Sequence, residues 1–276
     1  MPIRKNTITR IVVSLLAAPI ILFLCYFGKL PFLFFVSVLG LVSFYEFSIM
    51  AAKKSSHVNK LIGYIAVLAI ILNSYYNFIE FEILVYITIV MLFLIELFRK
   101  KNSAIFNTGS TLAGIFYIGL FSSALIKIRE LYNISSFIYD RGGLIIISLL
   151  LTIWVCDSAA FFIGSPFGKH KLYPRISPNK SWEGAIAGFV FSIFTVIALK
   201  SIILDFLSWQ DIIIMGVVVG VFGQMGDLIE SLIKRDANVK DSSSLIPGHG
   251  GLFDRFDSLL FTAPIIYLYF HLLVQI

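Results

Sequence analysis

Between Asp227 and Ser258 the chain reads DLIESLIKRDANVKDSSSLIPGHGGLFDRFDS, and acids, cations and hydroxyls recur in it at short spacings. With helix continuing through this start, Asp227, Glu230, Ser231 and Lys234 stand at i, i+3, i+4 and i+7 and share one face, with Gln224 a turn earlier on the same side. The chain then passes through Ser242-Ser243-Ser244 and Pro247-Gly248-His249-Gly250-Gly251, residues that favour turns and close backbone approach. Helix is expected again around Asp254, with Asp257 three residues on, and two such arms can bring Asp227 and Asp254 together. A magnesium ion is held by one or two carboxylates plus substrate phosphates. Transfer at a phosphorus centre needs positioning and charge neutralisation, with little covalent work from the protein. Paired aspartates with lysine, arginine and glycine-rich backbone meet those needs. Plainer accounts stand beside this one: Asp257 or Ser258 as a helix cap, Asp236 and Asp241 as solvated loop charges, His249 as a turn residue.

A second stretch, WVCDSAAFFIGSPFGKHKLYPRISPNKSWEG from Trp154 to Gly184, has the same character. Asp157 lies within an apolar run, which is unfavourable unless it pairs, faces water or binds a cation. Gly164 and Gly168 allow close backbone approach, and Lys169, His170, Lys171, Arg175 and Lys180 follow. Ser177-Pro178 predicts a helix N-cap with proline in the first helical position, and a helix N-terminus beside a lysine is an anion site. This loop reads equally as a nucleotide-phosphate site and as a basic interfacial loop that meets lipid phosphates. Glu183 is either a metal or ribose contact or an acid favouring the first turn of the next helix.

The elements that carry these loops are apolar. The 276-residue chain is 58% hydrophobic and 14% charged, against roughly 25% charged in soluble domains. Apolar runs at about 11–27, 30–50, 61–79, 82–98, 111–128, 143–163, 185–204, 211–230 and 258–275 approach the roughly 20 residues that cross a bilayer as helix. The expectation is an all-α polytopic integral membrane protein of about nine transmembrane helices; seven or eight follow if the pair 61–79 and 82–98 tilts or re-enters. With the N-terminus cytoplasmic, 17 of the 22 lysines and arginines fall in cytoplasmic segments, in the direction of the positive-inside rule. Both motif loops then face the cytoplasm. The first run lacks a cleavage site after Phe27 and is expected to stay in the membrane.

Cys25 and Cys156 fall within runs, so small-residue packing is expected of them rather than a disulfide. The net charge of +6 favours anionic headgroups and phosphate-bearing substrates, and no nucleic-acid motif accompanies it. The chain divides by character into N-terminal transmembrane helices, 1–143, and a catalytic transmembrane half, 144–276, with cytoplasmic motif loops at 164–184 and 231–257. Glu46 and Glu96, near the cytoplasmic ends of their runs, are expected to snorkel or make helix-to-helix polar contacts, and rank second as functional candidates.

At this point the residues resemble the phosphatidate cytidylyltransferases, or CDP-diacylglycerol synthases. The family signature is matched by Ser231, Ile233, Lys234-Arg235, Lys240-Asp241, Ser243, Ile246, Pro247, His249-Gly250-Gly251-Leu252 and Asp254-Arg255-Phe256-Asp257. A second family region is similar to Asp157-Ser158-Ala159-Ala160-Phe161, Gly164, Phe167-Gly168-Lys169, Lys171-Leu172, Pro174, Ser177-Pro178, Lys180-Ser181 and Glu183-Gly184. One departure is Ser165-Pro166, where relatives carry a basic residue after the glycine; Lys169 is then left for any phosphate contact there.

The resemblance implies CTP and phosphatidate as substrates, CDP-diacylglycerol and pyrophosphate as products, and magnesium as cofactor with room for a second cation. By family analogy Asp227 and Asp254 are the metal ligands, and Lys234, Arg235, Lys240 and Arg255 contact phosphates. Asp241 and His249 belong to the same site, His249 without an assigned role. Lys169, Arg175, Ser177, Lys180, Glu183, Ser231 and Asp157 fall on the substrate-binding side. A homodimer is implied as well, in the inner membrane if the source is bacterial. The alternative is a membrane transporter for an anionic solute, which predicts polar residues near the midplane of symmetry-related spans; here they concentrate in two loops. The Asp-Gly-initiated pattern of CDP-alcohol phosphotransferases is not found in the chain.

Overall fold

The structure is a computed structural model that describes residues 3–246 and 250–274, with side chains from residue 13 onward. Nine helices run through the described residues: α1 (Ile3–Phe27), α2 (Lys29–Ala52), α3 (Lys60–Tyr76), α4 (Phe81–Phe98), α5 (Ala104–Arg129), α6 (Asp140–Phe167), α7 (Trp182–Ile202), α8 (Trp209–Asp236) and α9 (Phe253–Val274). Seven of them, α2 and α4 to α9, are long and apolar enough to cross a membrane, while α3 and the Val13–Phe27 part of α1 are shorter apolar helices. The protein is thus a helical, multi-pass membrane protein. π-helical turns interrupt α5 at Ile115–Leu120 and α8 at Val219–Gly223, and end α9 at Phe270–Val274.

The helices pack as two units. One comprises Met1–Lys127 and Ile233–Arg255, the other Ile128–Leu232 and Phe256–Ile276. Motif residues 233–255 therefore pack with the N-terminal helices.

In the first unit, Phe44 of α2 is fully buried and lies against glycines on two other helices, Gly63 of α3 and Gly114 of α5. A Cβ on Gly114 would come within 2.9 Å of the Phe44 ring. Asn59 caps α3 by accepting from the Ile62 amide at 3.3 Å, and Ser103 caps α5 by accepting from the Phe106 amide. These are side-chain types that serve free amides of a first turn. Glu96 of α4 is buried, accepts from Asn107 Nδ2 of α5 at 2.7 Å and pairs with Arg99 at 3.4 Å. It makes the helix-to-helix polar contact.

In the second unit, glycines bring α6 and α7 to backbone contact. A Cβ on Gly188 would lie 3.0 Å from both the Cys156 carbonyl oxygen and its Sγ, and one on Gly184 would lie 2.7 Å from the Ala160 carbonyl oxygen. Ser192 Oγ donates to the Gly216 carbonyl at 2.8 Å and joins α7 to α8. Between α6 and α7 stands an antiparallel hairpin, β1 (Lys171–Tyr173) and β2 (Ser177–Ser181), the one sheet among the described residues. The helix start expected at Ser177-Pro178 is corrected here: residues 177–181 pair with 171–173, and Ser181 caps α7 by accepting from the Gly184 amide at 3.2 Å. Pro178, lacking an N–H, is tolerated because both strands of a two-stranded sheet are edges.

Close backbone approach at Gly188 makes a testable demand. Gly188→Leu is expected to destabilise the protein by about 1–3 kcal/mol through overpacking, read as a lowered thermal midpoint in detergent. Gly109→Leu, at a glycine whose added Cβ would meet nothing within 4 Å, should leave that midpoint unchanged.

Candidate functional site

The polar residues of the first unit are organised around two carboxylates. Glu46, on α2 and fully buried, accepts from Ser243 Oγ at 2.6 Å and the Leu252 amide at 3.0 Å through Oε1. Its Oε2 accepts from Ser242 Oγ at 3.0 Å and the Phe253 amide at 2.8 Å. Asp254, in the first turn of α9, accepts from Lys234 Nζ at 2.7 Å, from the Ser242 amide and hydroxyl at 3.0 and 2.9 Å, and from the Gly251 amide at 2.8 Å. Its side chain is 4% exposed and that of Lys234 12%. Desolvation of an ion pair is offset when further hydrogen bonds satisfy the remaining lone pairs, and here backbone amides supply them. Gly250, with φ +86°, takes the left-handed turn that side chains disfavour, and a Cβ on it would lie 2.8 Å from Asp254 Oδ2.

In the second unit a different set converges. Asp227 and Glu230 of α8 and Asp257 of α9 place carboxylate oxygens within 4.8 Å of one another. Gly226 permits this, since a Cβ there would lie 2.9 Å from the Asp257 carbonyl oxygen and 2.7 Å from the Phe261 Cβ. Glu230 is fully buried. Lys180, from β2, pairs with Asp227 Oδ2 at 2.6 Å, and Ser231 Oγ donates to Asp227 Oδ1 at 3.3 Å. The helix cap expected at Asp257 or Ser258 is corrected here: α9 begins at Phe253, so both lie inside the helix, and Asp257 accepts from the neighbouring Ser258 amide at 2.6 Å while facing the other two acids. Three carboxylates this close repel one another, and a cation among them relieves that repulsion; hard oxygen donors of this kind suit magnesium or calcium. The donor set fits a divalent ion.

The remaining candidates fall as follows. Ser231 is buried on the same α8 face as Asp227 and Glu230. Arg235 is exposed and donates to the Val239 carbonyl at 3.0 Å. Lys240, Asp241 and Arg255 are exposed. His249 lies outside the described residues. Asp157 is on an exposed face of α6, Lys169 is exposed in the connection from α6 to β1, and Arg175 is exposed in the hairpin's turn near the half-buried Ser177. Glu183 binds the hairpin to the helix: its carboxylate meets His170 Nδ1 at 2.7 Å, and the Trp182 amide donates to the His170 carbonyl at 2.9 Å. Sequence reasoning ranked Glu46 second, and left Glu230 outside its site set although it named the face. The signal for Glu230 was its i+3 spacing from Asp227. Glu46 was marked as a candidate by its place as an acid within an apolar run, but its partners lie about 200 residues away and could not be read locally.

Fold and site together define a polytopic membrane protein with clustered acids, lysines and tight glycine turns at its helix ends. The chain belongs to the Cytidylyltransferase family, whose sequence model matches residues 8–273. Among its relatives, the phosphatidate cytidylyltransferase of Bacillus subtilis (strain 168) is 37% identical over 265 residues, covering 94% of this chain and 95% of the relative. The phosphatidate cytidylyltransferase of Staphylococcus saprophyticus is 30% identical over 278 residues, covering 99% and 100%. That of Staphylococcus aureus (strain COL) is 31% identical over 269 residues, covering 95% and 97%.

Lys234 and Asp254 form a nearly enclosed pair, and removing one partner strands the other. Lys234→Met is expected to lower stability by about 2–3 kcal/mol, less than for a bare buried pair because three amide and hydroxyl donors still serve Asp254. Chemical denaturation in detergent measures it. The same change at the exposed Lys240 should fall within about 0.5 kcal/mol of wild type.

Proposed function

We propose that this protein is a phosphatidate cytidylyltransferase, converting CTP and phosphatidate to CDP-diacylglycerol and pyrophosphate. One observation carries the reading: a carboxylate group of Asp227, Glu230 and Asp257, paired with Lys180, in a chain that aligns almost end to end with relatives bearing that name.

In the proposed reaction a phosphate oxygen of phosphatidate attacks the α-phosphorus of CTP. A new P–O bond forms, the bond from the α-phosphorus to the bridging oxygen breaks, and pyrophosphate leaves with that oxygen. No general base is needed, because the attacking phosphate is already ionised at neutral pH. Asp227, with Glu230 and Asp257, would hold a divalent ion, magnesium by the chemistry of the donors, and Asp254 keeps its place as a ligand candidate through its position in the motif. When bound, such an ion neutralises charge on the phosphates and the leaving group. Lys180, Lys234, Arg235, Lys240 and Arg255 supply positive charge to phosphate oxygens, a role suited to mobile ammonium and guanidinium groups. Lys169, Arg175, Ser177, Glu183, Ser231 and Asp157 are assigned to substrate binding, and Asp241 and His249 remain site residues through the motif.

Nine spans with a cytoplasmic N-terminus complete the proposal, so that a soluble nucleotide and a membrane lipid meet at the cytoplasmic headgroup level. The distribution of lysine and arginine supports that orientation, and bacterial relatives support an inner-membrane location. A homodimer is part of the same proposal, by analogy with the family.

Purified protein with magnesium should move label from CTP into chloroform-soluble lipid, with phosphatidate stimulating the transfer and chelation of divalent ions abolishing it. Asp227→Asn should reduce turnover roughly 100-fold or more, the scale of losing a group that manages transition-state charge. Incorporation that ignores phosphatidate, or an undiminished Asp227→Asn enzyme, sinks the assignment. A cysteine replacing Ser243 should react with an impermeant thiol reagent only from the cytoplasmic side; labelling from outside alone would reverse the orientation.

A further inference from the structure

Glu46 lies 196 residues before Ser242, outside both motif loops, yet it is wholly enclosed by contacts to one of them. We infer that Glu46 is a positioning residue for the reaction: its carboxylate holds Ser242 and Ser243 together with Leu252 and Phe253, so that Asp254 and Lys234 are aimed before substrate arrives. The reaction it serves rests on the proposed activity; the anchoring itself rests on geometry alone.

An ionised carboxylate accepts at about four lone-pair sites, and Glu46 receives four donors. Two are the Ser242 and Ser243 hydroxyls and two are the Leu252 and Phe253 amides. Those amides begin α9, where the first N–H groups of a helix have no partner within the helix. Negative charge is favoured at that end. Glu46 thus acts as an N-terminal cap delivered from another helix, and it ties the start of the turn to its end. An amide side chain cannot replace it without turning N–H donors towards donors.

Two further observations show how tightly the acid is fitted to the turn. A Cβ on Gly251 would lie 2.6 Å from both Glu46 oxygens, so the backbone passes the carboxylate at a distance only glycine allows. Ser242 Oγ stands 3.0 Å from Glu46 and 2.9 Å from Asp254. A hydroxyl has one proton to donate, so the two acids share it, and a change at Glu46 is felt at Asp254. The same turn, Ser242 to Leu245, forms a wall of a recess of about 470 Å³ whose other side includes Tyr45 of α2 and Lys53, the residue that follows α2. Glu46 adjoins Tyr45 on α2, about two helical turns before Lys53, and holds two of the serines that line the recess.

The test compares Glu46→Gln, Glu46→Asp and Ser243→Ala in the full-length purified protein with two readouts. Hydrogen exchange of the 242–253 segment reports the anchor whatever the reaction is. Steady-state kinetics per folded molecule report its use. In Glu46→Gln, amide exchange in 242–253 should quicken at least about tenfold, and kcat should fall about 10- to 100-fold, the scale of a misplaced catalytic group. KM for CTP should stay within about threefold, and Glu46→Asp, which keeps the charge on a shorter stem, should recover part of kcat. If Glu46→Gln does not fold, Ser243→Ala, which removes a single hydroxyl, should show both effects at about threefold. Unchanged exchange overturns the anchor. Faster exchange with kcat within twofold of wild type overturns the positioning role and leaves only a structural one. If wild type makes no CDP-diacylglycerol, the activity reading falls instead, and the exchange data still decide the anchor.

Discussion

A carboxylate inside an apolar protein persists as an anion only where donors or counter-charges are built around it, and in this chain that requirement decides which helices meet. Glu46 has two hydroxyls and two helix-start amides, Asp254 has Lys234 and three donors of the turn, and Glu96 has Asn107 and Arg99. Asp211 follows the same rule at another helix start: it accepts from the Ser208 amide at 2.7 Å and from the Tyr269 hydroxyl at 2.6 Å. Each acid ties one element to the beginning or side of another. The polar groups are few, but they set the register of long apolar helices whose greasy faces would otherwise pack in several ways.

Glycine supplies the complementary half of this arrangement. Apolar helices in lipid gain little from burying one another's aliphatic side chains, so close approach through small residues becomes the means of association. At Gly184 and Gly188 that approach holds α6 against α7 and presents the hairpin carrying Lys180. At Gly226 it lets α8 come close enough to α9 for Asp227 and Glu230 to face Asp257. At Gly251 it lets the turn press on Glu46. The glycines of the motifs are therefore spacing devices for charge as much as turn formers.

Much of this was legible in the sequence because it is local. Apolar runs marked the long helices, the three- and four-residue spacings put Asp227, Glu230 and Ser231 on one face of α8, and the glycine-rich segment marked a turn before α9. The hairpin was missed because Ser177-Pro178 also satisfies the pattern of a helix start; what decided against it was pairing with Lys171–Tyr173, a contact no window on 177–184 contains. A cap was expected at Asp257, but α9 already begins at Phe253, and the place of Asp257 beside Asp227 and Glu230 depends on the crossing at Gly226. Glu46 was harder still. Its neighbours in sequence describe an ordinary apolar helix, and its meaning lies in Ser242, Ser243, Leu252 and Phe253.

The two aspartates that the motif singles out stand in unlike electrostatic settings, and the difference bears on mechanism. Asp254 is matched by one lysine and held by turn donors, so its charge is balanced and its direction fixed before any ligand arrives. Asp227 lies among like charges, with Lys180 as its ion-pair partner, and a group of three acids gains from a divalent ion in a way that a single paired acid does not. Under the proposed activity, an ion among the three acids would let Lys180 exchange Asp227 for a substrate phosphate without leaving a stranded charge. In the proposed reaction Asp254 is held in a fixed direction, and the three crowded acids would gain most from an ion among them. Phosphoryl chemistry requires both, since positioning and charge neutralisation are nearly all that the protein has to supply.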